Sequence, residues 1–125
     1  MRAVSSVLGE IVIDCENPRR VAEFWSKVLG WPDGVAEEGY VWVSSTGAPD
    51  APRPVLVFAE VPEKKTLKNR VHIDVNPHGC DQQQELERLL ALGARHVDIG
   101  QGDAPWYVLA DPEGNEFCLL RRRID

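Results

Sequence analysis

Glu10-Ile11-Val12-Ile13-Asp14-Cys15 is the stretch whose reading decides the fold. Its β-branched residues alternate as in a strand, with Glu10, Val12 and Asp14 on one face and Ile11, Ile13 and Cys15 on the other. Asn17-Pro18 then reads as a helix start. The Asn side chain caps free N–H groups, and Pro at the first helical position has no N–H to leave unsatisfied. Val21, Phe24, Trp25, Val28 and Leu29 fall at helical spacing, and Gly30 suits the left-handed stop. Sixty-two residues after Glu10, His72 stands in Val71-His72-Ile73-Asp74-Val75, a second strand of the same kind. Asp81 then caps a helix carrying Leu86, Leu89, Leu90 and Leu92 on its apolar stripe, and Gly93 stops it. The chain states one pattern twice.

Each copy closes with further strands. In the first, the spacing predicts Tyr40 to Ser44 and Val55 to Val61, after a turn at Trp31-Pro32-Asp33-Gly34 and around a loop from Thr46 to Pro52. In the second it predicts Arg95 to Ile99, Trp106 to Ala110 and Asn115 to Leu120. The last of these is entered through the tight turn Asp111-Pro112-Glu113-Gly114. Glu63 to Asn69 is polar, holds three lysines and reads as a connector. The expected class is α+β, with a β-α-β-β(-β) unit repeated in a single domain. Module one spans about residues 7–62 and module two about residues 70–121.

Composition narrows the function classes. A chain of 125 residues, 43% hydrophobic and 27% charged, suits one globular domain with a substantial core. Its net charge of −6 argues against a general nucleic-acid binder, which needs a clustered positive surface. The one basic run, Arg121-Arg122-Arg123, is expected to be a solvated tail. No window resembles a membrane span, and Met1-Arg2-Ala3-Val4-Ser5-Ser6 is too quickly polar for a secretory leader. Cys15, Cys80 and Cys118 are odd in number and widely spaced, as in a cytoplasmic protein with reduced thiols.

Taken together, Glu10 to Asp14, the Asn17-Pro18 helix to Gly30-Trp31, Asn69-Arg70-Val71-His72-Ile73-Asp74 and Leu109-Ala110-Asp111-Pro112-Glu113-Gly114-Asn115-Glu116-Phe117 resemble the vicinal oxygen chelate superfamily. That group includes glyoxalase I, extradiol dioxygenases, fosfomycin-resistance enzymes and bleomycin-resistance proteins. The chain is most similar to its small bacterial glyoxalase-like domain proteins. The resemblance implies paired βαβββ modules forming a cupped, eight-stranded mixed sheet, and a homodimer. It also implies a divalent metal in catalytic members, held by residues of the first and last strands of each module. At those positions stand Glu10, His72 and Glu116, whereas the fourth falls near Val55 or Leu56, which cannot bind metal.

One His and two carboxylates suit a facial triad for Fe, Mn, Ni or Zn, with positions left open for a substrate that chelates through adjacent oxygens. The expected enzyme is a metal-dependent lyase, isomerase or dioxygenase, in which Glu10 either binds the metal or serves as general base. The alternative is a metal-free small-molecule binder of the bleomycin-resistance type. In both, Tyr40, Trp42, Asp74 and Trp106 are the expected ligand-binding residues, because aromatic walls with few polar anchors are usual for small-molecule sites. Trp25 belongs to a helix stripe and is expected in the core. His78 and His96 lie in or near loops and are expected to be exposed.

Overall fold

The computed structural model describes residues 4–32 and 34–125, with Val35 described by its backbone only. The turn read at Trp31 to Gly34 therefore includes one residue, Asp33, outside the described set, as does the N-terminal reading at Met1 to Ala3. The chain divides into two compact units, Met1–Pro62 and Glu63–Asp125. Among the described residues, no helix is long and apolar enough to cross a membrane.

Unit 1 contains β1 (Glu10–Cys15), α1 (Pro18–Leu29), β2 (Val35–Glu37), β3 (Tyr40–Val43) and β4 (Val55–Glu60). Its strands lie in the order β1-β4-β3-β2, with β1 parallel to β4 and the other pairs antiparallel. The helix begins and ends as the sequence predicts. Asn17 accepts from the Arg20 N–H at 3.2 Å, Pro18 opens the first turn, and Gly30 closes the last at φ 65°. Its buried stripe of Val21, Phe24, Trp25 and Val28 lies against β3 and β4. Trp25 is a core ring set edge-on to Phe24, as expected of the stripe.

Strand alternation sorts the sheet of unit 1 into two faces. Ile11, Ile13, Leu56, Phe58, Val41 and Val43 share the apolar one. The other carries Glu10, Val12 and Asp14, all exposed, beside the buried Val55 and Val57. Ala51, from the Gly- and Pro-rich loop, packs on Val55 and Val57 together with Trp42. β2 is the one strand of the unit that the sequence does not announce. It is three residues long and pairs with β3 from Val35↔Trp42 to Glu37↔Tyr40, too short for alternation to register.

Unit 2 repeats the plan with β5 (Ile73–Val75), α2 (Gln82–Leu92), β6 (Arg95–His96), β7 (Tyr107–Ala110) and β8 (Glu116–Leu119), ordered β5-β8-β7-β6. Again the first and last strands are parallel and the others antiparallel. Several strands are shorter than their sequence patterns: Val71 and His72 precede β5, Trp106 precedes β7, and β6 stops at His96. α2 is held by a reciprocal cap, Asp81 accepting from the Gln84 N–H at 2.8 Å while Gln84 accepts from the Asp81 N–H at 3.0 Å. Leu86 and Leu89 are buried, whereas Leu90 and Leu92 are half-buried. Glu85, unremarkable in sequence, is also buried and takes a two-pronged ion pair from Arg88 at 2.7 and 2.8 Å.

The C-terminal arginines are exposed, but their backbone is tied down. The Ile124 N–H donates to Pro77 O, Asn76 donates to Arg122 O, and the Asp125 carboxylate accepts from the Gly79 N–H. The tail is solvated at its side chains and docked along its main chain.

Candidate functional site

The polar cluster of unit 2 starts from a turn. Asp111 is fully buried, and its carboxylate accepts from the Glu113 N–H at 2.9 Å, the Asn115 N–H at 3.0 Å and the Asn115 side chain. Gly114 takes φ 87°, which admits the chain into β8 without the strain a Cβ would bring. The Asp-Pro-Glu-Gly-Asn stretch is thus a device for aiming β8. It sets Asn115, whose side-chain oxygen accepts from the Asn69 amide at 3.2 Å, and it delivers Glu116.

Glu116 is buried, its side chain 5% exposed. Its Oε1 accepts from the Asn69 N–H at 2.9 Å and from the Lys65 ammonium at 2.8 Å. Oε2 is buried and has no hydrogen-bond partner among the described residues. Burial, the largest single influence, pushes the carboxyl up. The Lys65 ammonium and the Asn69 N–H together outweigh it and hold the group below the usual carboxylate range.

His72 joins the same cluster through Asn69. Its Nε2 lies 2.9 Å from Asn69 O and 3.1 Å from Lys68 Nζ. A protonated Nε2 donates to the carbonyl, while a bare Nε2 accepts from the ammonium, so one tautomer satisfies one contact. Continuing the β5–β8 register of Ile73↔Phe117 back by one residue sets His72 opposite Glu116. The main chain of Asn69 touches both.

Asp74 and Cys118 lie next along this face, paired in register. Burial, then the Asp74 carboxylate, pushes the Cys118 thiol up. The neighbouring β7 positions are Val108 and Ala110, both buried.

In unit 1, Glu10 is exposed at the start of β1 and pairs with Val55, the apolar residue the sequence places at the fourth ligand position. Trp42 is half-buried and shares Glu10's face, with its ring 6.2 Å from that of Tyr40 at a 38° tilt. Tyr40, 49% exposed, lines a pocket of about 500 Å³ with Glu16, Arg19, Glu37, Glu38 and Glu60. That pocket, at the N-terminus of α1, has no signature in the sequence, because its acidic residues come from three separate segments. Trp106 is exposed in the loop before β7, and His78 and His96 are exposed as expected. Among the described residues, no three His, Cys, Asp or Glu side chains gather so as to hold a metal ion.

The residues sequence reasoning missed are Lys65, Lys68 and Asn69. They sit in the segment read as a connector, and periodicity carries no signal there. The spacing of Lys68 four residues before His72 is visible in the sequence, but only the folded backbone shows that it closes.

The sequence pattern of the family described as "Glyoxalase-like domain" matches residues 10–120. No curated protein sequence matches the chain significantly. Solved structures do. The fosfomycin resistance protein FosX from Mesorhizobium loti is similar with a TM-score of 0.64 at 13% identity, over 94% of this chain and 92% of that one. FosX from Listeria monocytogenes, solved with Mn(II) and 1S,2S-dihydroxypropylphosphonic acid, is similar at 0.62 and 13%, over 94% and 90%. A glyoxalase/bleomycin resistance protein/dioxygenase family enzyme from Burkholderia phytofirmans is similar at 0.58 and 16%, over 91% and 97%.

Proposed function

This chain belongs to the glyoxalase-like domain family, and from that premise we propose that it binds a small organic molecule on the sheet face carrying Glu116, His72 and Asp74, without a metal ion. The observation that carries this reading is the pair of lysines. Lys65 sets an ammonium on Glu116 and Lys68 sets one on His72, at 2.8 and 3.1 Å, on the side chains a divalent ion would need. A metal fits poorly there as the side chains stand, because cations repel at such range and Glu116 is already neutralised. Glu116 and Asp74 then act as hydrogen-bond acceptors for a ligand, Lys68 as a donor, and His72 as either. Unit 1 by itself presents Tyr40 and Trp42 as aromatic surface, the residues whose chemistry made them ligand-binding candidates in the sequence. The homodimer implied by the resemblance is part of the same proposal, and sedimentation measures it directly.

A second reading has its own observation. Glu116 Oε2 is a buried acceptor without a donor among the described residues, which suits a cation, and His72 and Glu116 would be the ligands unit 2 supplies to one. When bound, such an ion would supply Lewis-acid polarisation of a substrate oxygen.

Elemental analysis of the purified protein, after incubation with Fe, Mn, Ni and Zn, separates the two. The metal-free reading expects far less than one equivalent, unchanged in His72→Ala. One equivalent lost in that variant would sink it. A ligand screen by tryptophan fluorescence then identifies the class bound, and His72→Ala is expected to weaken the response.

A further inference from the structure

Glu116 holds all of its partners on one oxygen. Oε1 receives both the Lys65 ammonium and the Asn69 N–H, while the buried Oε2 receives nothing among the described residues. Lys65 is itself well anchored, since its Nζ also donates to Leu67 O at 2.6 Å and its side chain is 22% exposed. The segment from Lys65 to Asn69 therefore lies across Glu116 and His72 with four separate contacts, not as slack between two units.

Take Lys65 away and the chemistry of the pair changes. A buried carboxylate with both oxygens unneutralised, opposite an imidazole, offers a divalent ion two ligands and an uncompensated negative charge. With Lys65 present, an arriving ion meets a fixed positive charge bound to the same carboxylate, and one oxygen is already taken.

We propose that Lys65 is the specificity-determining residue of this face: it supplies the cation that Glu116 requires and thereby bars a divalent metal from Glu116 and His72. The inference rests on the metal-free reading above. It assigns to a connector residue the choice between a metal site and an organic-ligand site. Lys68 acts in the same sense on His72, through a longer contact of 3.1 Å to a neutral or tautomeric ring nitrogen in place of a carboxylate.

The test is calorimetric titration of MnCl2 and NiCl2 into the parent, Lys65→Met, Lys65→Arg and the double variant Lys65→Met/His72→Ala. The parent and Lys65→Arg are expected to bind weakly and alike. Lys65→Met is expected to bind roughly tenfold more tightly or better, a gain the double variant loses. If Lys65→Met folds by circular dichroism and binds no more tightly than a weakly binding parent, the role of Lys65 is overturned while the metal-free reading stands. If the parent itself takes one equivalent tightly, both are overturned. Should Lys65→Met fail to fold, Lys65→Gln keeps an N–H donor for Glu116 without the charge, and the same gain is expected of it. No gain in that variant overturns the proposal equally.

Discussion

Lys65 Nζ lies 2.8 Å from Glu116 Oε1, across a stretch of chain that includes the whole of α2 and three strands. An ion pair this distant in sequence, with one partner buried, is a tertiary contact and carries stability as well as charge.

Lys65→Ala leaves the Glu116 carboxylate buried with one N–H on one oxygen. The expected loss is about 2–3 kcal/mol, since removing one partner strands the other. Urea denaturation of parent and variant measures it. Lys65→Met/Glu116→Gln is expected to lose less than the sum of its single variants, because both report on one interaction.

The same pair sets an acid limit. The folded Glu116 carboxyl titrates below its unfolded range, so its contribution is complete at pH values above the unfolded pKa and is lost as pH falls through the folded one. The stability difference between parent and Glu116→Gln is thus expected to be flat from neutral pH to about pH 5 and to shrink below it. Urea melts across that range give the profile. A difference that grows on acidification would contradict the assignment.

Asp111→Ala removes the acceptor that holds Glu113 N, Asn115 N and the Asn115 side chain. About 2–4 kcal/mol is expected to go with it, since bonds to a charged acceptor are worth more than neutral ones. Because Asn115 positions Asn69, amide exchange at Asn69 is expected to speed up more than overall destabilisation explains. Asp111→Asn, which keeps one acceptor oxygen, is expected to cost less.

Cys80 is half-exposed, whereas Cys15 and Cys118 are buried, and burial raises the Cys118 thiol further. Native alkylation with iodoacetamide at pH 8, followed by mass spectrometry, is expected to label Cys80 first and to leave Cys118 unlabelled until unfolding. Labelling of Cys118 ahead of Cys80 would show that this face of β8 opens in solution.

The helix boundaries were legible because capping is local. Asn17-Pro18 and Gly30 bracket α1, and Asp81 and Gly93 bracket α2, where the sequence places them. The faces of β1 were legible for the same reason, since alternation is a property of successive residues. β2 was not, being three residues whose only reason to be a strand is the edge of β3 beside them. Glu116 and His72 were legible as residues, because turn chemistry and the repeat announce them. Their condition was not.

By itself, the sequence determined the repeated unit, its helices, the α+β class and the broken symmetry between Glu10↔Val55 and His72 with Glu116. All of these follow from local spacing and from comparing one half of the chain with the other. Only the tertiary structure decided what Glu116 and His72 face. Lys65, Lys68 and Asn69 reach them because β8 and the 63–69 segment, far apart in the chain, come together when the sheet of unit 2 forms. A lysine in a polar linker looks the same in sequence whether it points at water or at a buried carboxylate; burial and proximity, which make that difference, exist only in the folded chain.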